Sequence, residues 1–305
     1  MKKISLIFIT LLAVLLGACG ASPSVNNPTT TPGVPTVLAS TSFLADLAQN
    51  VAGSRLQVEM LIPLGVDPHE YEPTPQDVAK LANCQVLIVN GIGYEFWLQK
   101  TLNGIGGTRQ IITATDGMTP IASINADETD GDPHMWLDVS RAIKYVENIR
   151  DGLIQADPAG KDVYTQNAMA YIAKLNQLDQ WIKEQVSQVP ADKRLLVTNH
   201  DSLGYFSRAY GFQVVGAVIP SVTTDASPSA QQMADLINVI KSSGTPAIFV
   251  ETGVNTQLAE QIASETNVKV VSNLYLETLS APNGPAPDYI DMVKYDVTQI
   301  VDALK

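Results

Sequence analysis

The sequence predicts an α/β protein: two βα lobes of about four parallel strands each, joined by one long rigid helix. Three observations predict it. Continuous apolar runs of strand length, such as Gln85 to Val89 and Ala247 to Val250, have no polar face. Strands covered by helices on both sides read that way. Amphipathic helical patterns alternate with such runs in both halves of the chain. Two helical patterns in the middle follow one another with no strand between them, and the second is the longer.

The chain opens with Lys2 and Lys3 and an apolar run from Ile4 to Leu16. That run is too short to span a bilayer and suits the core of a signal peptide. Leu16-Gly17-Ala18-Cys19 resembles a bacterial lipobox. Residues 1–18 are therefore expected to be removed and Cys19 to carry lipid. A plain secretory signal with an incidental cysteine is the alternative. Residues 19–35, rich in Ser, Pro, Asn and Thr, cannot build a core and read as a flexible tether. Sixteen residues from Gly20 reach at most about 55 Å, so the folded body would hang close to the outer side of a membrane.

Residues 36–156 form the expected N-terminal lobe. Val37 to Ser40, Gln57 to Ile62, Gln85 to Val89 and Gln110 to Thr113 read as strands. Phe43 to Val51 reads as a helix stopped by Gly53, and Glu95 to Leu102 as another. Thr74-Pro75 opens a helix, with threonine as cap and proline at the first helical position. Asp138 caps the amphipathic run Val139 to Ile154.

Residues 157–189 are the expected connector, with Asp157 as cap and Pro158 at the first position. Val163, Asn167, Ala170, Tyr171, Leu175, Leu178, Trp181, Ile182 and Val186 recur at helical spacing. About thirty helical residues span roughly 45 Å. Residues 190–305 form the second lobe. Leu195 to Thr198, Gln213 to Val218, Ala247 to Val250 and Val268 to Ser272 read as strands. Asp201 to Tyr210, Pro228 to Lys241, Thr256 to Glu265 and Asp288 to Leu304 read as helices.

The formal net charge is −12, and −14 once Lys2 and Lys3 leave with the signal. An acidic chain argues against nucleic-acid binding and suits a protein that meets cations. Cys19 and Cys84 are the two cysteines. With Cys19 lipidated no disulfide is expected, and Cys84, before an apolar strand, reads as a small core residue.

The three histidines occupy polar stretches at strand ends. His69 and His134 each follow Asp-Pro, and His200 follows Val197-Thr198-Asn199. In open α/β sheets ligands bind outside the carboxyl ends of strands. Two facing lobes would put His69 and His134 on one lip of a cleft and His200 on the other. Three converging imidazoles make a transition-metal site. A fourth ligand should come from the second lobe, with Asp225, Glu251 and Glu277 as candidates. The acidic residues Asp127, Glu128 and Asp130 read as a solvated loop, with cation collection as the alternative.

These stretches resemble the cluster 9 solute-binding proteins, metal-receptor lipoproteins of ABC importers for zinc and manganese. Asp67-Pro68-His69-Glu70-Tyr71-Glu72-Pro73 is similar to the family's first ligand loop. Asp132-Pro133-His134-Met135-Trp136-Leu137-Asp138 is similar to its second, and His200-Asp201-Ser202-Leu203-Gly204 to its third. Tyr289 to Tyr295 resembles its last helix. Counting back from Tyr289 lands on Glu277, where the family commonly has aspartate. The resemblance therefore implies His69, His134, His200 and Glu277 as ligands of a transported metal in the cleft between lobes. It also implies a membrane permease and a cytoplasmic ATPase as partners, and a monomeric, extracytoplasmic receptor rather than an enzyme.

Two other functions compete. Catalytic zinc also uses three histidines, but a hydrolase keeps an open position for water and needs a general base, and no HExxH or GxSxG motif supplies one. A surface adhesin would ask for an exposed repeat or aromatic patch, which the sequence lacks. Three imidazoles and one carboxylate point to zinc, with manganese as the alternative.

Overall fold

The structure, a computed structural model, describes residues 33–123 and 130–305. The expected signal peptide, Cys19, most of the tether, Asp127 and Glu128 lie outside the described residues. Two four-stranded sheets, each wholly parallel, form the frame.

The first sheet contains β1 (Val37–Ala39), β2 (Val58–Met60), β3 (Val86–Val89) and β4 (Gln110–Thr113), in the order β2-β1-β3-β4. The second contains β5 (Leu195–His200), β6 (Gln213–Ile219), β7 (Ala247–Glu251) and β8 (Lys269–Leu274), in the order β6-β5-β7-β8. The two orders match, so each sheet has a switch point beside its first strand. The apolar runs have the predicted cause. In β3, Val86 and Ile88 face one apolar cluster while Leu87 and Val89 face another. In β7, Ala247 and Phe249 divide from Ile248 and Val250 in the same way.

The N-terminal helices are α1 (Ser42–Ala52), α2 (Pro75–Asn83), α3 (Leu98–Ile105) and α4 (Val139–Ala156). Thr74 and Asp77 close a capping box on α2, and Asp138 accepts the Ser140 N–H at the start of α4. In the second half lie α6 (Gly204–Tyr210), α7 (Ala230–Ser243), α8 (Gln257–Thr266) and α9 (Tyr289–Leu304). The start of α7 falls two residues beyond the expected one. Ser229, not Ser227, exchanges capping bonds with Gln232. α3 also starts late, because Glu95 is buried and accepts the N–H groups of Asn90 and Gly91.

The long connector is α5 (Lys161–Val186), 26 residues, or about 39 Å at the helical rise. It is shorter than expected. Pro158–Gly160 forms a separate 3-10 turn, and the Asp157 carboxylate accepts from Arg55 and Tyr164 instead of capping a helix. Its buried stripe is Tyr164, Ala168, Tyr171, Leu175, Leu178, Ile182 and Val186. Val163 and Ala170, expected inside, are exposed, because docking against α1, α4 and α9 selects the neighbouring register.

One apolar cluster includes inner-face residues of both sheets together with α1, α4, α5 and α9. Separate clusters lie under α2 and α3 on the outer face of the first sheet, and under α7 and α8 on that of the second. Cys84 is buried in the former. No helix among the described residues is long and apolar enough to cross a membrane.

Candidate metal centre

His69 lies in the loop after β2. His134 ends the loop after β4 and directly precedes a 3-10 turn, Met135–Leu137. His200 is the last residue of β5, so it belongs to the strand and not to the loop the sequence suggests. Glu277 lies in the loop between β8 and α9. The four side chains meet: one ligand atom from each falls within 4.8 Å of all the others. Polar stretches carry them, yet all four are buried, at 1%, 0%, 0% and 4% exposure respectively.

The repeated Asp-Pro-His has one local purpose. The Asp67 carboxylate accepts the His69 N–H at 2.8 Å, and the Asp132 carboxylate accepts the His134 N–H at 2.8 Å. Each aspartate thus satisfies the main chain two residues on, as an Asx turn does, and turns the imidazole inward. Asp132 Oδ1 also holds His134 Nδ1 at 2.8 Å. Glu251 Oε1, at the end of β7, holds His200 Nδ1 at 2.7 Å across the switch point. Both carboxylates favour the tautomer that leaves Nε2 free toward the cluster.

Those Nε2 atoms converge. His134 Nε2 lies 3.4 Å from His69 Nε2 and 3.2 Å from His200 Nε2. Glu277 Oε1 lies 3.0, 2.8 and 3.4 Å from Nε2 of His69, His134 and His200. A tetrahedron of ligands 2.0–2.1 Å from zinc has edges of about 3.3 Å, so these spacings fit a small cation at the centre. Ring nitrogens this close cannot all present lone pairs to one another; protons or a cation must lie between them.

The electrostatics say the same. Burial disfavours charge on His134, but hydrogen bonds to Asp132 and Glu277 outweigh it and push its pKa up to about 9. Burial likewise opposes charge on His200, and Glu251 with Glu277 raises it well above the usual value. Burial would raise Glu277, yet the three histidines hold it well below the carboxylate range. The pocket is built for positive charge.

Aromatic rings form its wall. Tyr94 meets His69 edge-on at 5.1 Å and Trp136 at 5.1 Å, and Trp136 stacks on Phe43 at 4.3 Å. Trp136 Nε1 donates to the Leu276 carbonyl at 2.8 Å, tying the His134 segment to the Glu277 segment.

Of the other carboxylates singled out in the sequence, Glu251 stands behind His200, and Asp225 and Asp130 are exposed and outside the cluster. The wall residue Tyr94 carries no sequence signal. Asp132 and Glu251 were legible only as a residue beside proline and an acid at a strand end.

Comparison with known proteins places the chain among metal-binding proteins. The profile of the family "zinc-uptake complex component A, periplasmic" matches residues 37–303. The manganese-binding lipoprotein MntA of Halalkalibacterium halodurans is 34% identical over 307 residues, covering 100% of this chain and 99% of its own. The iron-binding protein YfeA of Yersinia pestis is 32% identical, covering 92% of this chain and 89% of its own. Among solved structures, the periplasmic zinc binding protein TroA of Treponema pallidum superposes with TM-score 0.83 at 30% identity, covering 89% of this chain and 99% of that one.

Proposed function

The chain belongs to the zinc-uptake complex component A family, and from that premise we propose that it is a receptor whose His69, His134, His200 and Glu277 together hold one divalent transition-metal ion, most favourably zinc. Members of this family are substrate-binding components of ABC importers, not enzymes. The observation that carries the ligand assignment is the convergence of three imidazole Nε2 atoms and one carboxylate oxygen at 4% exposure or less. Catalysis by bound zinc needs an open coordination position; here a fourth side chain closes the set. The metal is cargo, captured outside the cytoplasm by a monomer anchored through lipid on Cys19 and delivered to a membrane permease driven by its ATPase. Residues 36–156 and 190–305 serve as the two lobes, with 157–189 connecting them.

Zinc follows from the donor set. Imidazole suits zinc, and nitrogen-rich sites bind it above manganese in the Irving–Williams order. The second reading is manganese, favoured by the relative whose name says it binds that ion. Stripped protein titrated with zinc and with manganese should take up one ion per chain and bind zinc more tightly. Failure to bind either ion stoichiometrically would overturn the receptor reading, and tighter manganese would overturn zinc alone.

A pH dependence follows. Metal needs the His134 Nε2 lone pair, and Asp132 with Glu277 push the pKa of that ring up to about 9, so a proton competes with the metal there. Zinc binding should therefore release protons, and affinity should rise with pH toward 9. The slope is about tenfold per pH unit for each proton displaced. In the metal-free protein the sign is opposite. The stability from charged His134 is fully present below the unfolded pKa near 6.5 and is lost as pH rises through about 9. Zinc competition measured from pH 6 to 9 reads the first effect, and a flat profile would refute histidine ligation.

A further inference from the structure

The three histidines are not held alike. His134 and His200 each have Nδ1 on a buried carboxylate. His69 Nδ1 is buried with no hydrogen-bond partner among the described residues. Its segment also packs differently. The His134 side of the cleft is sealed by large rings, where Trp136, Tyr205 and Tyr289 belong to the shared apolar cluster. The His69 loop lies between two cavities. One, of about 840 Å³, is lined by His69, Tyr71 and Trp97. The other, of about 340 Å³, is lined by Asp67, Asn199 and Thr224. Space beside a loop whose histidine lacks a rear support is where a buried site can open.

Two polar bonds tie that loop to the second lobe. Asp67 accepts the His69 N–H on Oδ1, and on Oδ2 it accepts the hydroxyl of Thr224 at 2.6 Å. Thr224 lies in the segment after β6 and is buried. The Gly65 N–H donates to Thr278 Oγ1 at 3.1 Å, one residue past Glu277. Gly253 permits the loop to lie this close: a Cβ there would stand 2.8 Å from the Gly65 carbonyl oxygen, at a φ of +92°. So one carboxylate connects the main chain of a ligand residue directly to the opposite lobe. Asp132, its counterpart, places the His134 N–H and the His134 ring on the same Oδ1, and its Oδ2 has no partner among the described residues.

We propose that the Thr224–Asp67 hydrogen bond is a catch across the cleft that keeps the His69 loop closed over the bound ion, and that the ion leaves by displacement of this loop. Thr224 is a positioning residue. It acts on His69 through Asp67 and touches no ligand atom. The inference rests on the receptor reading above. It predicts a rate effect that runs in one direction. Breaking the catch should speed release and leave capture unchanged, because in this proposal the bond forms only as the His69 loop closes over the ion.

The test is zinc release from the loaded, full-length receptor into excess chelator, with association measured separately. Thr224→Val keeps the shape and removes the hydroxyl. It should release zinc about tenfold faster, equivalent to about 1.4 kcal/mol, the size of one hydrogen bond to a charged acceptor. Association should match the parent. Thr224→Ser restores the hydroxyl and should return the parental release rate, which a packing defect at this position would not. If Thr224→Val releases zinc at the parental rate, or if Ser fails to rescue it, the catch is refuted while the receptor reading stands. A parent protein that takes up neither zinc nor manganese overturns both.

Discussion

His134→Ala should abolish tight zinc binding while the chain stays folded. His134 sits at the centre of the cluster, within 3.4 Å of the nitrogens of both other histidines and 2.8 Å from Glu277 Oε1. Removing it takes away one donor of four and opens a gap at full burial. Loss of an outer-shell partner costs about 10–100-fold in metal affinity, and loss of the ligand itself should exceed that range. The fold should survive, because the Asp132 carboxylate still accepts the main-chain N–H at position 134, and Trp136 keeps its bond to the Leu276 carbonyl and its stacking on Phe43. Zinc competition and circular dichroism on the same preparation check both halves. Parental affinity in a folded variant would sink the assignment.

Glu277→Gln should weaken zinc nearly as much, through charge instead of size. Among the described residues, Glu277 is the one carboxylate whose oxygen faces all three Nε2 atoms. Glutamine keeps the shape but leaves a divalent ion among neutral donors in a buried pocket, which is costly without an opposing charge. Glu251→Gln is the informative partner. The sequence admitted Glu251 as a rival fourth ligand, and on that footing its loss should matter little if Glu277 ligates. The structure places it on His200 Nδ1, so its loss should now cost the roughly 10–100-fold typical of an outer-shell carboxylate. Titrations of both variants, side by side, order the two roles. A larger loss in Glu251→Gln than in Glu277→Gln would reverse them.

The sequence alone determined the element order, the all-parallel sheets and the three histidines at strand ends. Each of these has a local signature. Strands covered on both faces must be apolar throughout, as β3 and β7 are. Helix starts show themselves in a cap and a proline, as at Thr74-Pro75. The Asp-Pro-His repeat marks two histidines in loops, and the structure adds the Asx-type bond from each aspartate to its histidine N–H. Where local signals compete, the reading slipped by one to three residues. Ser227 and Ser229 both offer a cap, and the α5 stripe runs through Tyr164 and Ala168 rather than Val163 and Ala170.

Tertiary structure decided the rest. It settled that Glu277, not Glu251 or Asp225, faces the three rings, that Asp132 and Glu251 stand behind two of them, and that Asp67 reaches Thr224 instead. His69 and Glu277 are 208 residues apart, and Asp67 and Thr224 are 157 apart. Periodicity and capping report only what lies within a few turns of the chain. Which carboxylate reaches a site from across a cleft depends on how two sheets pack on a shared helical layer, and no local pattern in the sequence encodes that distance.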